Sequence, residues 1–122
     1  MKRTISTYGK YFLDFYSELN VEVQEKIDYV FELVKSLDVI PKRFFQHLDD
    51  GLFEIRIEFE GNIYRIFCFF DARHLVVLLN AFQKKSQKTP KQELELAKKL
   101  KKQYFIDKII DEKDGKRTKV KK

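Results

Sequence analysis

The order of apolar patterns predicts a small α+β domain, β-α-α-β-β-β-α, with an antiparallel sheet and helices packed on one face. Three observations predict it. Two helix-spaced stripes follow each other near the amino end; three strand-like runs come next, the first two joined at Gly61-Asn62; a capped amphipathic segment opens at Thr89-Pro90. No repeat and no internal linker interrupts this order.

The amino-terminal stretch "RTISTY" (3–8) alternates weakly and suits a first strand. Phe12, Phe15, Tyr16 and Leu19 then recur at three- and four-residue steps, the mark of a short amphipathic helix. Asn20 is placed to cap a second helix whose inner face is Val23, Ile27, Val30, Phe31, Val34 and Leu37. Pro41 stops the extended pattern after Ile40. Short loops make these two helices a hairpin.

"LFEIRIEFE" (52–60) alternates strictly, with Phe53, Ile55, Ile57 and Phe59 on one face and Glu54, Arg56, Glu58 and Glu60 on the other. "IYRIFCFF" (63–70) follows across Gly61-Asn62, a Gly-first pair suited to a type II′ hairpin. That turn sets Phe59 opposite Tyr64, Ile57 opposite Ile66, Ile55 opposite Cys68 and Glu58 opposite Arg65. The apolar face must lie under helices. The opposite face mixes Arg56 and Arg65 with Phe67 and Phe69. "HLVVLLNAF" (74–82) is a third strand, and Leu94, Ala97, Leu100 and Tyr104 give the final helix one stripe, with Thr89 as its cap and Gln92 completing a capping box.

At 122 residues the chain has room for one core, and 36% charged residues with few Gly or Pro mark a folded soluble protein. A domain over 1–110 and a charged, disordered tail over 111–122 are expected. Cys68 is the single cysteine, so no intrachain disulfide forms and a reducing cytoplasm fits. The longest apolar runs, "IFCFF" and "LVVLL", are far too short to span a bilayer, and the first residues lack a signal-peptide pattern.

The net charge of +6 is unevenly spread. Residues 1–83 carry 10 Lys/Arg against 13 Asp/Glu, whereas residues 84–122 carry 15 against 6. Such a basic half suits an anionic partner. Lys84, Lys85 and Lys88 gather directly after a strand, with no acid between Asp71 and Glu93. Taken alone, Arg65 reads as one half of an exposed cross-strand pair with Glu58, worth a few tenths of a kcal/mol. With Arg56, Lys84, Lys85 and Lys88 converging on one region, an RNA-binding face is the better reading. On it the guanidinium forks hold phosphate, and Phe67 and Phe69 stack on bases.

These residues carry a resemblance. G-L-x-E-I-R at 51–56, Y-R-I-F at 64–67 and F-x-K-K-S-x-K-T-P at 82–90 stand in an order and spacing that resemble the RelE/ParE toxin superfamily, in its HigB-like, phage-derived branch, over roughly residues 1–105. The resemblance implies the toxin of a type II toxin–antitoxin system. Its activity would be a ribosome-dependent messenger RNA endoribonuclease that needs no metal or other cofactor. The RNA 2′-hydroxyl attacks the adjacent phosphate, leaving a 2′,3′-cyclic phosphate and a free 5′-hydroxyl. Position by position, the resemblance makes Arg65 the phosphate stabiliser, with Arg56 and Lys85 beside it and Lys84, Lys85 and Lys88 on the RNA. On that view Arg65→Ala silences the toxin and leaves the fold intact.

Glu54 stands where RelE has a lysine, and no His or Tyr lies between Phe82 and Tyr104. His47 and Glu54 are the remaining candidates for acid and base, while His74 reads as an ordinary residue at a strand start. No Cys/His cluster has metal spacing. The implied partners are the ribosome with its messenger and a cognate antitoxin, a helix-turn-helix protein from the adjacent gene, all in the cytoplasm. The alternatives are a ParE-type poison of DNA gyrase, or an inert member that binds its antitoxin alone.

Overall fold

A computed structural model describes residues 2–85 and 90–118, with side chains described as far as Glu112. Strand β1 (Thr4–Thr7) leads into α1 (Tyr11–Ser17) and α2 (Val21–Ser36). Strands β2 (Phe45–His47), β3 (Leu52–Phe59), β4 (Asn62–Asp71) and β5 (Leu75–Lys84) follow, and α3 (Lys91–Thr118) ends the fold. The five strands form one sheet in the order β1-β5-β4-β3-β2.

The α+β class stands, and α1 and α2 pack on one face as the periodicity predicts. Asn20 caps α2, its side chain accepting from the Val23 N–H at 3.0 Å. Val23, Ile27, Val30 and Val34 of α2 and Phe12 of α1 bury themselves against Ile55, Ile57, Ile66, Cys68, Val76 and Leu78. Burial also pushes the Cys68 thiol well above its usual range, with Glu54 adding to the shift, so this cysteine stays protonated.

Four features correct the sequence reading. The sheet is mixed: β1 runs parallel to β5, pairing Ile5 with Val76 and Thr7 with Leu78. β5 is apolar on both faces and needs a neighbour on each edge, and the parallel direction delivers the chain to α1, whose Phe15 meets Tyr64.

The β3–β4 turn is the second correction. Its loop is Glu60-Gly61, with φ of +50° and +80°, and Phe59 faces Asn62. Two positive φ values make a type I′ turn, whose twist matches the flanking strands. The register therefore moves by two residues. Ile55 faces Ile66, Ile57 faces Tyr64, and Arg56 rather than Glu58 faces Arg65. An even shift keeps every side chain on its expected face, so Ile57 is fully buried under the helices.

Third, α3 closes the other face of the sheet. Its Ala97 and Leu100, with Leu94 and Tyr104, seat on Leu52, Phe67, Phe69, Val77 and Leu79. The stripe that marks α3 as amphipathic has an apolar surface waiting for it, because "IYRIFCFF" is apolar on both faces. Fourth, β2 adds a strand where the sequence suggests only loop: three residues carry too little alternation to show themselves, yet Phe45 pairs with Ile55 and His47 with Phe53. α3 also runs to Thr118, beyond the expected domain boundary at residue 110. No helix among the described residues is long and apolar enough to cross a membrane.

Candidate functional site

The second sheet face divides in two. Toward Asp71 it is sealed by α3, anchored at both ends of its contact. Asn80 donates to the Glu93 carbonyl and carboxylate in the first turn, both at 2.9 Å. Farther along, Tyr104 donates to Asp71 at 2.6 Å, Lys108 reaches the same carboxylate at 2.9 Å, and Tyr8 donates to Asp107. Toward the β3–β4 turn the face carries charge.

A bulge in β5 shapes this charged end. Ile66 pairs with Ala81 but Cys68 with Leu78, so Leu79 and Asn80 together oppose Phe67. The extra residue turns Phe82, and by alternation Lys84, toward the second face. Arg56, Arg65 and Phe82 then form one row across β3, β4 and β5; Glu58, Ile63 and Lys84 form the next.

Arg65, the predicted phosphate stabiliser, is buried within that row. Its side chain is 6% exposed and that of Glu54 3%. Nε donates to Glu54 Oε1 at 2.8 Å and Nη2 donates to the same oxygen. The guanidinium also lies over the rings of Phe67 and Phe82, at 5.5 and 5.6 Å. The expected partner was Glu58, the expected setting an open face. The two-residue register shift sets Glu58 opposite Ile63 and leaves Glu54 diagonal to Arg65. Glu54 is thus held by Arg65 and closed off from solvent.

Phe67 and Phe69 are 0% and 1% exposed, which overturns their role as stacking platforms: Phe67 meets Phe82, and Phe69 meets Tyr104 and Phe105. His47 lies on the edge strand with its ring edge-on to Phe53 at 5.0 Å, a residue of the α1/α2 face, and not beside Arg65. His74 lies just before β5, an interior strand and not an edge, its carbonyl accepting from the Thr4 N–H of β1 at 2.8 Å. Lys88 and the Thr89 cap lie outside the described residues.

What stays accessible is Arg56, Lys84 and Lys85. Arg56 is about one quarter exposed and pairs loosely with Glu58 at 3.5 Å. Lys84 is half-buried and Lys85 exposed. Sequence reasoning missed a neighbouring feature, a cleft of about 310 Å³ lined by Lys26, Tyr29, Arg43, Phe44, Arg56 and Glu58. The basic-aromatic run "KRFF" (42–45) is its one signal in the sequence. Among the described residues, no group of three or more His, Cys, Asp or Glu side chains gathers into a metal site.

The arrangement offers cations for a phosphate or a carboxylate, with an apolar body behind them. No curated protein matches the chain. Residues 14–102, about three quarters of the chain, match the family model described as phage derived protein Gp49-like (DUF891). The chain belongs to this Gp49-like family, a RelE/toxin-like family of small α+β proteins.

Proposed function

We propose that this protein is the toxin of a type II toxin–antitoxin system, of the HigB-like branch, and that it cuts messenger RNA on the ribosome in the cytoplasm. The observation that carries this reading is the cationic end of the second sheet face, where Arg56 and Lys84 remain accessible and Lys85 is exposed just past the strand, in a chain of a toxin-like family. The reaction is attack of a 2′-oxygen on the neighbouring phosphorus, with loss of the 5′-oxygen. The 2′ proton must leave and the 5′-oxygen must gain one. Negative charge peaks on the phosphorane between these events, and cations held within reach of it lower the barrier.

Arg56 and Lys85 suit that task, with Lys84 on the strand. Arg65 cannot share it in this conformation, because its charge is already met by Glu54. Neither Glu54 nor His47 is placed to move a proton. The division of labour that follows is chain cations for charge and the ribosome for alignment. In-line positioning of a 2′-hydroxyl contributes a large part of such barriers. A cognate antitoxin from the adjacent gene, a helix-turn-helix protein, would hold the activity in check.

The buried Arg65–Glu54 pair favours a second reading, an inert member that keeps the fold and its antitoxin surface. One experiment separates these, with gyrase poisoning as the third outcome. Wild type, Arg56→Ala and the Lys84→Ala/Lys85→Ala double variant are induced, and translated messages are probed by primer extension. New 5′ ends that appear with wild type and fade at least tenfold in both variants support cleavage. Absence of ends with loss of plasmid supercoiling points to gyrase, and absence of both to an inert member.

A further inference from the structure

The cleft between α2 and the outer edge of β3 gathers cations from three elements: Lys26 from α2, Arg43 from the segment before β2, and Arg56 from β3. Among the described residues Glu58 is the single acid in its lining, 3.5 Å from Arg56. Lys26 and Arg43 have no carboxylate partner among the described residues. The lining charge is therefore plus two in a confined volume of about 310 Å³. Both unpaired cations lie against rings instead: Lys26 is 5.6 Å from Tyr29 and Arg43 4.7 Å from Phe44. A guanidinium already held over a ring loses less freedom when it takes up an anion. Tyr29 is 54% exposed, an aromatic face left out of the core.

We infer that this cleft binds the phosphates of single-stranded RNA, with Tyr29 as a stacking surface for a base. The inference rests on the ribonuclease reading for the identity of the strand; the cleft's own chemistry supplies the rest. Cations that grip a phosphate beside an accessible ring are the pairing that single strands use. An acidic peptide would engage the cations and leave the ring idle. β2 reaches only to Phe45, so past Arg56 the edge of β3 lies open beside the cleft. The row Glu58–Ile63–Lys84 joins it to the other cations across two strand spacings, roughly 10 Å. One strand of RNA thus crosses from Lys84 and Lys85, over the end of the sheet, into the cleft.

The test uses the purified full chain and a fluorescein-labelled, uncleavable 2′-O-methyl oligonucleotide, with anisotropy read over a series of salt concentrations. Lys26→Ala/Arg43→Ala should weaken binding about tenfold or more and flatten the salt dependence by roughly 0.7 for each phosphate no longer neutralised. Tyr29→Ser should weaken binding while leaving the salt slope alone. Thermal melts check that each variant is folded. Unchanged affinity and slope in the Lys26/Arg43 variant, with weaker binding in Lys84→Ala/Lys85→Ala, overturns the inference. So does a Lys26/Arg43 variant that loses the antitoxin and keeps RNA, which would make the cleft a docking site for an acidic protein segment. A wild type that binds the probe through the cleft yet cuts nothing on ribosomes sinks the enzyme reading and leaves this site standing.

Discussion

A guanidinium buried against a carboxylate, as Arg65 is against Glu54, differs in its energetics from one in water. Each charge has given up hydration that the partner replaces, so removing either one strands the other. Arg65→Ala and Glu54→Ala should each cost about 3–5 kcal/mol, read as a lower midpoint in urea unfolding. Arg65→Met combined with Glu54→Leu should recover most of that loss. Single variants within about 1 kcal/mol of wild type would show that the pair is solvated. A silent Arg65→Ala toxin therefore says nothing of chemistry until its folding is measured. Asp71 is the second residue with a readable signature. The hydrogen bonds from Tyr104 and then Lys108 hold its carboxyl below the ordinary value, against a smaller opposing effect of burial. A lowered folded pKa stabilises above the unfolded value of about 3.9, and the benefit fades as pH falls through the folded value. Melting temperatures of wild type and Asp71→Asn should differ at neutral pH, with the gap starting to narrow near about pH 4 and closing only below the lowered folded value. A gap that persists into acid would assign the effect to packing.

Among the elements, the β3–β4 turn is built with a residue that resists it. Glu60 holds φ at +50°, a region where Asn is tolerated far better than Glu. Glu60→Asn makes an Asn-Gly type I′ turn and should raise stability by about 0.5–1 kcal/mol without touching the core. Stability lost instead would argue against this register. α3 is held by side chains on one stripe and by phenol–carboxylate bonds at its far end. Burial first, then the bond to Asp71, pushes the Tyr104 hydroxyl up to about 12; burial and Asp107 do the same for Tyr8. Spectrophotometric titration should show these two phenols ionising well above the ordinary tyrosine value of about 10. Leu100→Ala removes a methyl cluster from the α3 contact and should cost about 2–5 kcal/mol, toward the lower end because the site borders solvent.

For the whole molecule, the uneven charge is the property a partner meets. The body to residue 83 is weakly acidic and the remainder strongly basic. Tight association with the product of an adjacent gene should accordingly weaken as salt is raised. Co-purification from the native operon at low and high ionic strength measures this. A chain recovered alone, and tolerated by cells at high expression, would count heavily against the toxin reading.

Periodicity by itself determined the class and the placement of side chains. Alternation in β3 and β4 assigned Ile55, Ile57, Ile66 and Cys68 to the face under α1 and α2, and the helix-spaced valines of α2 found that face. A register error of two residues could not disturb this, because the side-chain period of a strand is also two. The RelE/toxin-like character of the family, too, was legible in three short motifs. What tertiary structure alone decided was exposure. The same alternation that put Arg65, Phe67 and Phe69 on the second face left open whether that face met water or α3, and a stripe on a helix does not name its partner. With α3 in place, the two rings became core. Arg65 and Glu54 became a buried pair, because their spacing across the strands depended on where the Glu60-Gly61 turn closed. Local pattern fixes which way a side chain points; only the packing of elements far apart in the chain fixes what it points at.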